Sequence, residues 1–198
     1  MNDKDHILEE FRSSHETVGR LSSCPQLVDR LAAAANAVTS CFRAGGKVLL
    51  AGNGGSAADA QHIAAEFVSR LKFDRAPLPA LALTADTSIV TAIGNDYGYP
   101  ELFARQLAGY GRPGDVFIGL TTSGRSENVL RAFAAARREG LVSIAFCGEA
   151  GLADATACDY LLQAPSAITA RIQECHIIMA HVLCDLVERT YFGVPGRG

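Results

Sequence analysis

Residues 47–66 constrain the fold more than any other part of this chain of 198 residues. An apolar stretch, residues 48–51, leads through the glycine-rich turn 52–55 into a segment with helical character. Glycine permits a positive φ and lets a ligand approach the backbone closely. Ser56 is the predicted N-cap of the helix, whose free N–H groups and positive dipole end suit an anion such as phosphate. The segment therefore predicts a buried strand, an anion-binding turn and a helix.

A second segment has the same order of elements. Residues 116–120 are a predicted strand, residues 121–126 (TTSGRS) form a turn rich in hydroxyls, and residues 127–138 a helix. Hydroxyls and backbone N–H groups at a helix start can bind a phosphate monoester. Further strands are predicted at residues 80–83, 142–147 and about 160–163.

This alternation predicts an α/β fold, a three-layer α-β-α sandwich with a central parallel sheet. Ligands of such sheets bind beyond the carboxyl ends of the strands, where both turns lie. Residues 3–44 predict an N-terminal helical extension of two helices with a break near residues 22–25. The other predicted helices cover residues 89–93, which end at the turn cluster 94–98, then about 100–107, and a long C-terminal helix from about 169 to 191. We expect one domain, residues 1–198, with an α/β core at 45–198.

Composition narrows the class of protein. The net charge of −3, the absence of Trp and an aromatic content of 7% argue against a nucleic-acid partner. The polar N-terminus has no signal-peptide core, and we find no apolar run long enough to span a membrane. The six scattered cysteines are interpreted as reduced and mostly buried, which is typical of a cytoplasmic protein.

Two helices carry side chains able to bind a metal or move a proton. His62 and Glu66 are four residues apart and share one helix face, although such a pair is often only solvated. Gln173 and His181 lie on the C-terminal helix, about 12 Å apart in rise and ~80° apart in rotation. They cannot both bind one ion from the same straight helix. Either Gln173 lies at a distorted helix start, or the two come from different copies of the chain, which we favour.

Together these motifs resemble the phosphoheptose isomerases of the SIS (sugar isomerase) fold. The resemblance covers residues 52–66, the turn at Asn95 and Asp96, the TSG-x-S turn and the final segment IQECHIIMAHVLCDLVE. It implies isomerisation of sedoheptulose 7-phosphate to D-glycero-D-manno-heptose 7-phosphate, the first step toward the heptose of lipopolysaccharide. It also implies a cytoplasmic homotetramer with one zinc ion per site at subunit interfaces, in which helices within residues 1–44 serve oligomerisation.

The resemblance also assigns residues. The zinc ligands would be His62, Glu66, Gln173 and His181. The substrate contacts would be Asn53, Gly54, Gly55, Glu66, Asn95, Asp96, Thr121, Thr122, Ser123, Ser126 and Gln173. Isomerisation through an enediol needs a carbon base and an acid for the oxygens, and we assign these roles to Glu66 and His181. Zinc would either stabilise the enediolate or only place the substrate.

Three other functions stay open. Some SIS proteins bind the bacterial replication initiator without catalysis, but they lack the residues that match Glu66 and His181, and this chain keeps both. The chain could also be an SIS enzyme for a different phosphosugar. A sugar-phosphate-sensing module is the third alternative, although it would not need these two residues.

Overall fold

A five-stranded, fully parallel sheet forms the centre of the molecule. The structure is a computed structural model that describes residues 2–154 and 156–193. The sheet order is β2-β1-β3-β4-β5. The strands are β1 (Val48–Gly52), β2 (Ala80–Ala82), β3 (Val116–Thr121), β4 (Val142–Cys147) and β5 (Tyr160–Gln163).

Seven α-helices within the described residues surround this sheet, together with a short 3-10 helix at Tyr99–Glu101. They are α1 (Asp3–Ser22), α2 (Pro25–Arg43), α3 (Gly55–Val68), α4 (Thr87–Asp96), α5 (Leu102–Tyr110), α6 (Glu127–Arg138) and α7 (Thr169–Phe192). Among them, none combines the length and apolar character that crossing a membrane requires.

The helices cover both faces of the sheet. Alternate strand residues such as Leu50 and Ile118 join a core with α2, α3 and α7, and α1 adds Leu21 to its edge. The strand residues that point to the other face of the sheet, such as Leu49 and Phe117, pack with α5 and α6. Because β1, β3 and most of β4 are buried on both faces, their sequences are continuous apolar runs. This architecture confirms the predicted three-layer sandwich and the long C-terminal helix.

Helix boundaries differ from the prediction at two places. Ser56 is not the N-cap of α3: Gly54 is, with φ 56° and ψ −123°, and Ser56 is buried one residue inside the helix. Only glycine adopts this backbone easily, so the helix begins earlier than the hydroxyl suggested. Helix α4 runs from Thr87 to Asp96, so it begins two residues before the predicted start at residue 89, and its last turn occupies part of the predicted turn cluster.

The remaining elements agree with expectation to within about three residues, the largest shift being that α5 spans Leu102–Tyr110 where about 100–107 was predicted. The break between α1 and α2 falls at residues 23–24, with Pro25 at the start of α2. All six cysteines are free thiols, and Cys41, Cys147, Cys175 and Cys184 are buried. Residues 1, 155 and 194–198 of the predicted single domain lie outside the described residues.

Candidate active site

Three potential metal ligands meet between α3 and α7. His62 Nε2 lies 3.0 Å from His181 Nε2 and 3.2 Å from Glu66 Oε1. All three ligand atoms lie within 4.8 Å of one another, and all come from one chain. The His62 side chain is 49% exposed and that of Glu66 is 18% exposed, so the cluster opens to the surface. A single protomer thus joins two imidazoles and a carboxylate.

The donor types and the spacing of this cluster are compatible with a zinc site. Zinc in proteins is bound by imidazole nitrogen and carboxylate oxygen, and two ligand atoms of a tetrahedral ion lie about 3.3 Å apart. The separations of 3.0 Å and 3.2 Å from His62 Nε2 are close to that value. Two imidazoles and one carboxylate are also a set found in catalytic zinc sites, which keep one position open.

A buried ion pair fixes the two helices that carry this cluster. Arg75, in the loop after α3, donates from Nε to Glu188 Oε1 of α7 at 2.8 Å. Its other nitrogens donate to the backbone carbonyls of Glu66 and Phe67, both at 2.7 Å. The carboxylate of Glu188 also accepts from the backbone N–H groups of Leu71 and Lys72. The side chains of Arg75 and Glu188 are 3% and 1% exposed, so this pair fixes the end of α3 against α7.

A second carboxylate lies near His62. Asp59 precedes His62 by three residues on α3 and is partly buried. Burial raises the pKa of the Asp59 carboxyl, and the charge interaction with His62 offsets part of that rise. Sequence reasoning did not single out Asp59, although its spacing of three from His62 is that of neighbours on one helix face.

Gln173 lies at the glycine turn. A Cβ placed on Gly55 would overlap Nε2 of Gln173, so the absence of a side chain at Gly55 makes room for the amide. Gly55 and His62 are seven residues apart, or about 10 Å along α3. Gln173 is also the fifth residue of a regular α7, so the structure gives no distorted helix start. Within one chain, its amide lies against the turn that begins α3.

The hydroxyl-rich turn follows β3 at the same sheet edge. Thr121 ends the strand, is buried, and accepts from the backbone N–H of Gly124 at 3.2 Å. Its hydroxyl also lies 3.2 Å from Ser126 Oγ. Ser126 is the N-cap residue of α6, and Ser123 is exposed and accepts from the N–H of Arg125. Thr122 is half-buried between them. The turn places hydroxyls around a helix N-terminus, an arrangement suited to an anion.

The predicted contacts Asn95 and Asp96 lie on the last turn of α4. Both are exposed, and Asn95 Nδ2 donates to Asp96 Oδ1 at 2.7 Å. The chain then passes through Gly98 (φ 86°) to Tyr99, whose hydroxyl donates to Asn53 Oδ1 at 2.8 Å. The end of α4 is therefore connected to the glycine turn.

A pair of side-chain amides joins the glycine turn to the helix that follows the hydroxyl-rich turn. Asn53 Nδ2 donates to Asn128 Oδ1 at 2.9 Å, and Asn128 Nδ2 donates back to Asn53 Oδ1 at 2.9 Å. Asn128, on the first turn of α6, is 3% exposed. Sequence reasoning missed Asn128 and Tyr99. The only signal in the sequence that could have indicated Asn128 is its position, because it is a polar residue at the start of α6, two positions after Ser126.

A family model and the sequence of a known protein both match most of this chain. The sequence model of the SIS domain family matches residues 15–148. The phosphoheptose isomerase of Burkholderia pseudomallei is 50% identical over 188 residues, which are 95% of this chain and 95% of that protein.

Two solved structures share the fold at high coverage. The phosphoheptose isomerase of Francisella tularensis is 38% identical, with a TM-score of 0.90, covering 96% of this chain and 100% of that one. That of Neisseria gonorrhoeae is 40% identical, with a TM-score of 0.85, covering 94% and 99%.

Proposed function

The chain belongs to the phosphoheptose isomerases of the SIS domain family, and we propose that it converts sedoheptulose 7-phosphate to D-glycero-D-manno-heptose 7-phosphate. This reaction is an aldose–ketose isomerisation and would supply heptose for lipopolysaccharide. The observation that carries the proposal is the convergence of Glu66 and His181 from two distant segments, in a chain that also has two turns suited to a sugar phosphate.

The phosphate and the sugar bind across the sheet edge in this proposal. Ser123, Ser126 and the threonines Thr121 and Thr122 surround the N-terminus of α6 and would hold the phosphate by neutral hydrogen bonds and the helix dipole. The remaining contacts are assigned to the sugar hydroxyls: Asn53, Gly54, Gly55, Asn95, Asp96 and Gln173. The phosphate then anchors one end of an extended substrate, and the other end reaches the Glu66 cluster of a neighbouring copy, because Gly55 and Glu66 of one chain lie about 16 Å apart along α3.

Two proton transfers complete the chemistry. Glu66 removes a proton from C1 of the ketose, and the electron pair of that C–H bond forms the C1–C2 double bond. His181 protonates the oxygen on C2, which gives the enediol. His181 then removes the proton from the oxygen on C1, and Glu66 returns its proton to C2. The product is the aldose, and both side chains regain their starting protonation.

His62, Glu66 and His181 would hold one zinc ion per chain, with Gln173 as a fourth ligand. When bound, zinc supplies a Lewis acid that polarises the substrate oxygens. His62 has no proton-transfer step in this scheme, so it acts as a ligand. Because an imidazole nitrogen bound to zinc cannot accept a proton there, and a bound carboxylate is a weaker base, Glu66 and His181 would exchange between the two roles during turnover.

We further propose that Gln173 reaches this cluster from a second copy of the chain. Its amide lies at Gly55 in its own protomer, about two helical turns from His62. The cluster is open on its outer side, where His62 is 49% exposed. Helix α1 also exposes apolar side chains, with Ile7, Leu8 and Phe11 between 50% and 69% exposed. A homotetramer that buries this face of α1 and completes each site between chains accounts for both features, and the free cysteines favour the cytoplasm as its location.

The test is incubation of the purified protein with sedoheptulose 7-phosphate and identification of the product by NMR. We expect an aldoheptose 7-phosphate with the manno configuration at C2. The epimer at C2 would assign the chain to a different isomerase. No turnover, with capture of a protein partner, would favour a non-catalytic SIS protein.

A further inference from the structure

Two side chains from different elements, Tyr99 and Asn128, meet at Asn53. Its amide oxygen Oδ1 accepts from Tyr99 Oη at 2.8 Å and from Asn128 Nδ2 at 2.9 Å. Its amide nitrogen Nδ2 donates to Asn128 Oδ1 at 2.9 Å. The side chain of Asn53 is therefore held from α6 on one side and from the segment after α4 on the other.

The donors and acceptors of the Asn53 amide determine which hydrogen bonds it can still make to a ligand. An amide oxygen has two lone pairs, and in Asn53 both face donors, from Tyr99 and Asn128. An amide nitrogen has two hydrogens, and one of them is used by Asn128. A single N–H remains, so in this arrangement Asn53 can donate one hydrogen bond to a ligand and can accept none.

We propose that Tyr99 and Asn128 are positioning residues that orient the Asn53 amide, so that it presents one N–H donor to an oxygen of the sugar phosphate. This rests on the proposed function, which places Asn53 among the substrate contacts. Neither residue touches the reacting atoms, and both act through Asn53.

Asn128 and Tyr99 are held in place in different ways. Asn128 is 3% exposed, so its amide is shielded from water and its pairing with Asn53 is the stable state of both groups. Tyr99 is 56% exposed, but its segment is fixed at the far end by the ion pair of Glu101 with Arg131 of α6. The tyrosine hydroxyl thus connects the last turn of α4, with Asn95 and Asp96, to the glycine turn.

The test is a double-mutant cycle with Tyr99→Phe and Asn53→Ala, measured with sedoheptulose 7-phosphate. We expect Tyr99→Phe to raise KM about three- to tenfold, the loss of one neutral hydrogen bond, with a smaller change in kcat. In the Asn53→Ala background, Tyr99→Phe should change KM by less than about twofold, because its partner is already gone. Tyr110→Phe, at the far end of α5, is the matched control and should leave KM unchanged.

The urea midpoint of unfolding for the same four proteins gives a readout that needs no turnover. We expect Tyr99→Phe to lower the midpoint in the parent and to have little effect in Asn53→Ala. A second double-mutant cycle combines Asn128→Ala with Asn53→Ala, provided that the circular dichroism spectrum of Asn128→Ala matches that of the parent.

The outcomes distinguish failure of the positioning role from failure of the proposed function. If the parent isomerises the substrate but Tyr99→Phe has no effect on KM, or the same effect in both backgrounds, the positioning role is overturned and the proposed function stands. If the unfolding midpoints are coupled but the parent does not turn over the substrate, the hydrogen bonds stand, and the positioning role is overturned together with the proposed function.

Discussion

His62 Nε2 lies 3.0 Å from His181 Nε2, although 119 residues separate the two side chains in sequence. Helices α3 and α7 lie side by side on one face of the sheet, and their contact brings the two imidazoles together with Glu66. The site is therefore a consequence of helix packing, and its chemistry depends on how α3 and α7 are held.

Glu66→Gln and His181→Gln should each reduce kcat for sedoheptulose 7-phosphate by about 100-fold or more, in line with the usual contribution of a general acid or base. Both substitutions preserve size, so circular dichroism and oligomeric state should match the parent. The control is Glu9→Gln, whose exposed carboxylate pairs with Arg12 on α1. Near-normal turnover by either site variant would remove that residue from the proton transfers.

Ser123→Ala and Ser126→Ala should mainly raise KM, by about three- to tenfold for the loss of one neutral hydrogen bond. Their hydroxyls would contact the phosphate in both the ground state and the transition state, so kcat should change little. Steady-state kinetics with the exposed Ser40→Ala as a control checks this. An effect confined to kcat would contradict the placement of the phosphate at this turn.

Glu188→Gln should lower the free energy of unfolding by about 3–5 kcal/mol, because it leaves the buried charge of Arg75 without its partner. Asp185→Asn is the matched control, since Lys72 and Asp185 join the same loop to α7 with a lysine that is 52% exposed. That substitution should cost no more than about 1 kcal/mol. Urea denaturation of both variants measures the difference, and equal costs would argue that burial of the Arg75–Glu188 pair has no special role.

Stability should fall with acid because of His176. This residue is fully buried on α7 against Phe146, and burial lowers the pKa of its imidazole to about 4 from an ordinary 6.5. Above pH 6.5 the imidazole is neutral in both folded and unfolded states. Between pH 6.5 and about 4 the unfolded state binds a proton that the folded state does not, so folding is weakened by about 3 kcal/mol. As the pH falls from 7.5 to 4.5, the urea midpoint of the parent should fall further than that of His176→Leu; parallel curves would contradict this.

The fold was predictable because its strands are buried on both faces. Continuous apolar runs such as that of β3, followed by glycine or hydroxyl turns, are hard to assign to any other element. The N-cap of α3 was predicted wrongly because the general preference for serine takes no account of a glycine that adopts φ 56° two residues earlier. Likewise, Gly94 has the composition of a turn, yet it lies inside α4.

The candidate site was predictable only in part. The pairing of His62 with Glu66 follows from helical spacing alone, but its meeting with His181 depends on how two helices pack. The bonds of Asn53 to Tyr99 and to Asn128 span 46 and 75 residues of sequence, and no local pattern indicates them. The same holds for Arg75, a loop arginine whose role becomes visible only beside Glu188.

The most direct test of the account is turnover of sedoheptulose 7-phosphate by one preparation measured before chelation, after verified removal of metal, and after addition of zinc. We predict formation of the aldoheptose 7-phosphate in the first and third samples, with about one zinc ion bound per chain and a loss of activity in the second. Full activity without metal would contradict the assignment of His62, Glu66 and His181 as a zinc site, and no aldose in any sample would contradict the assignment as an isomerase.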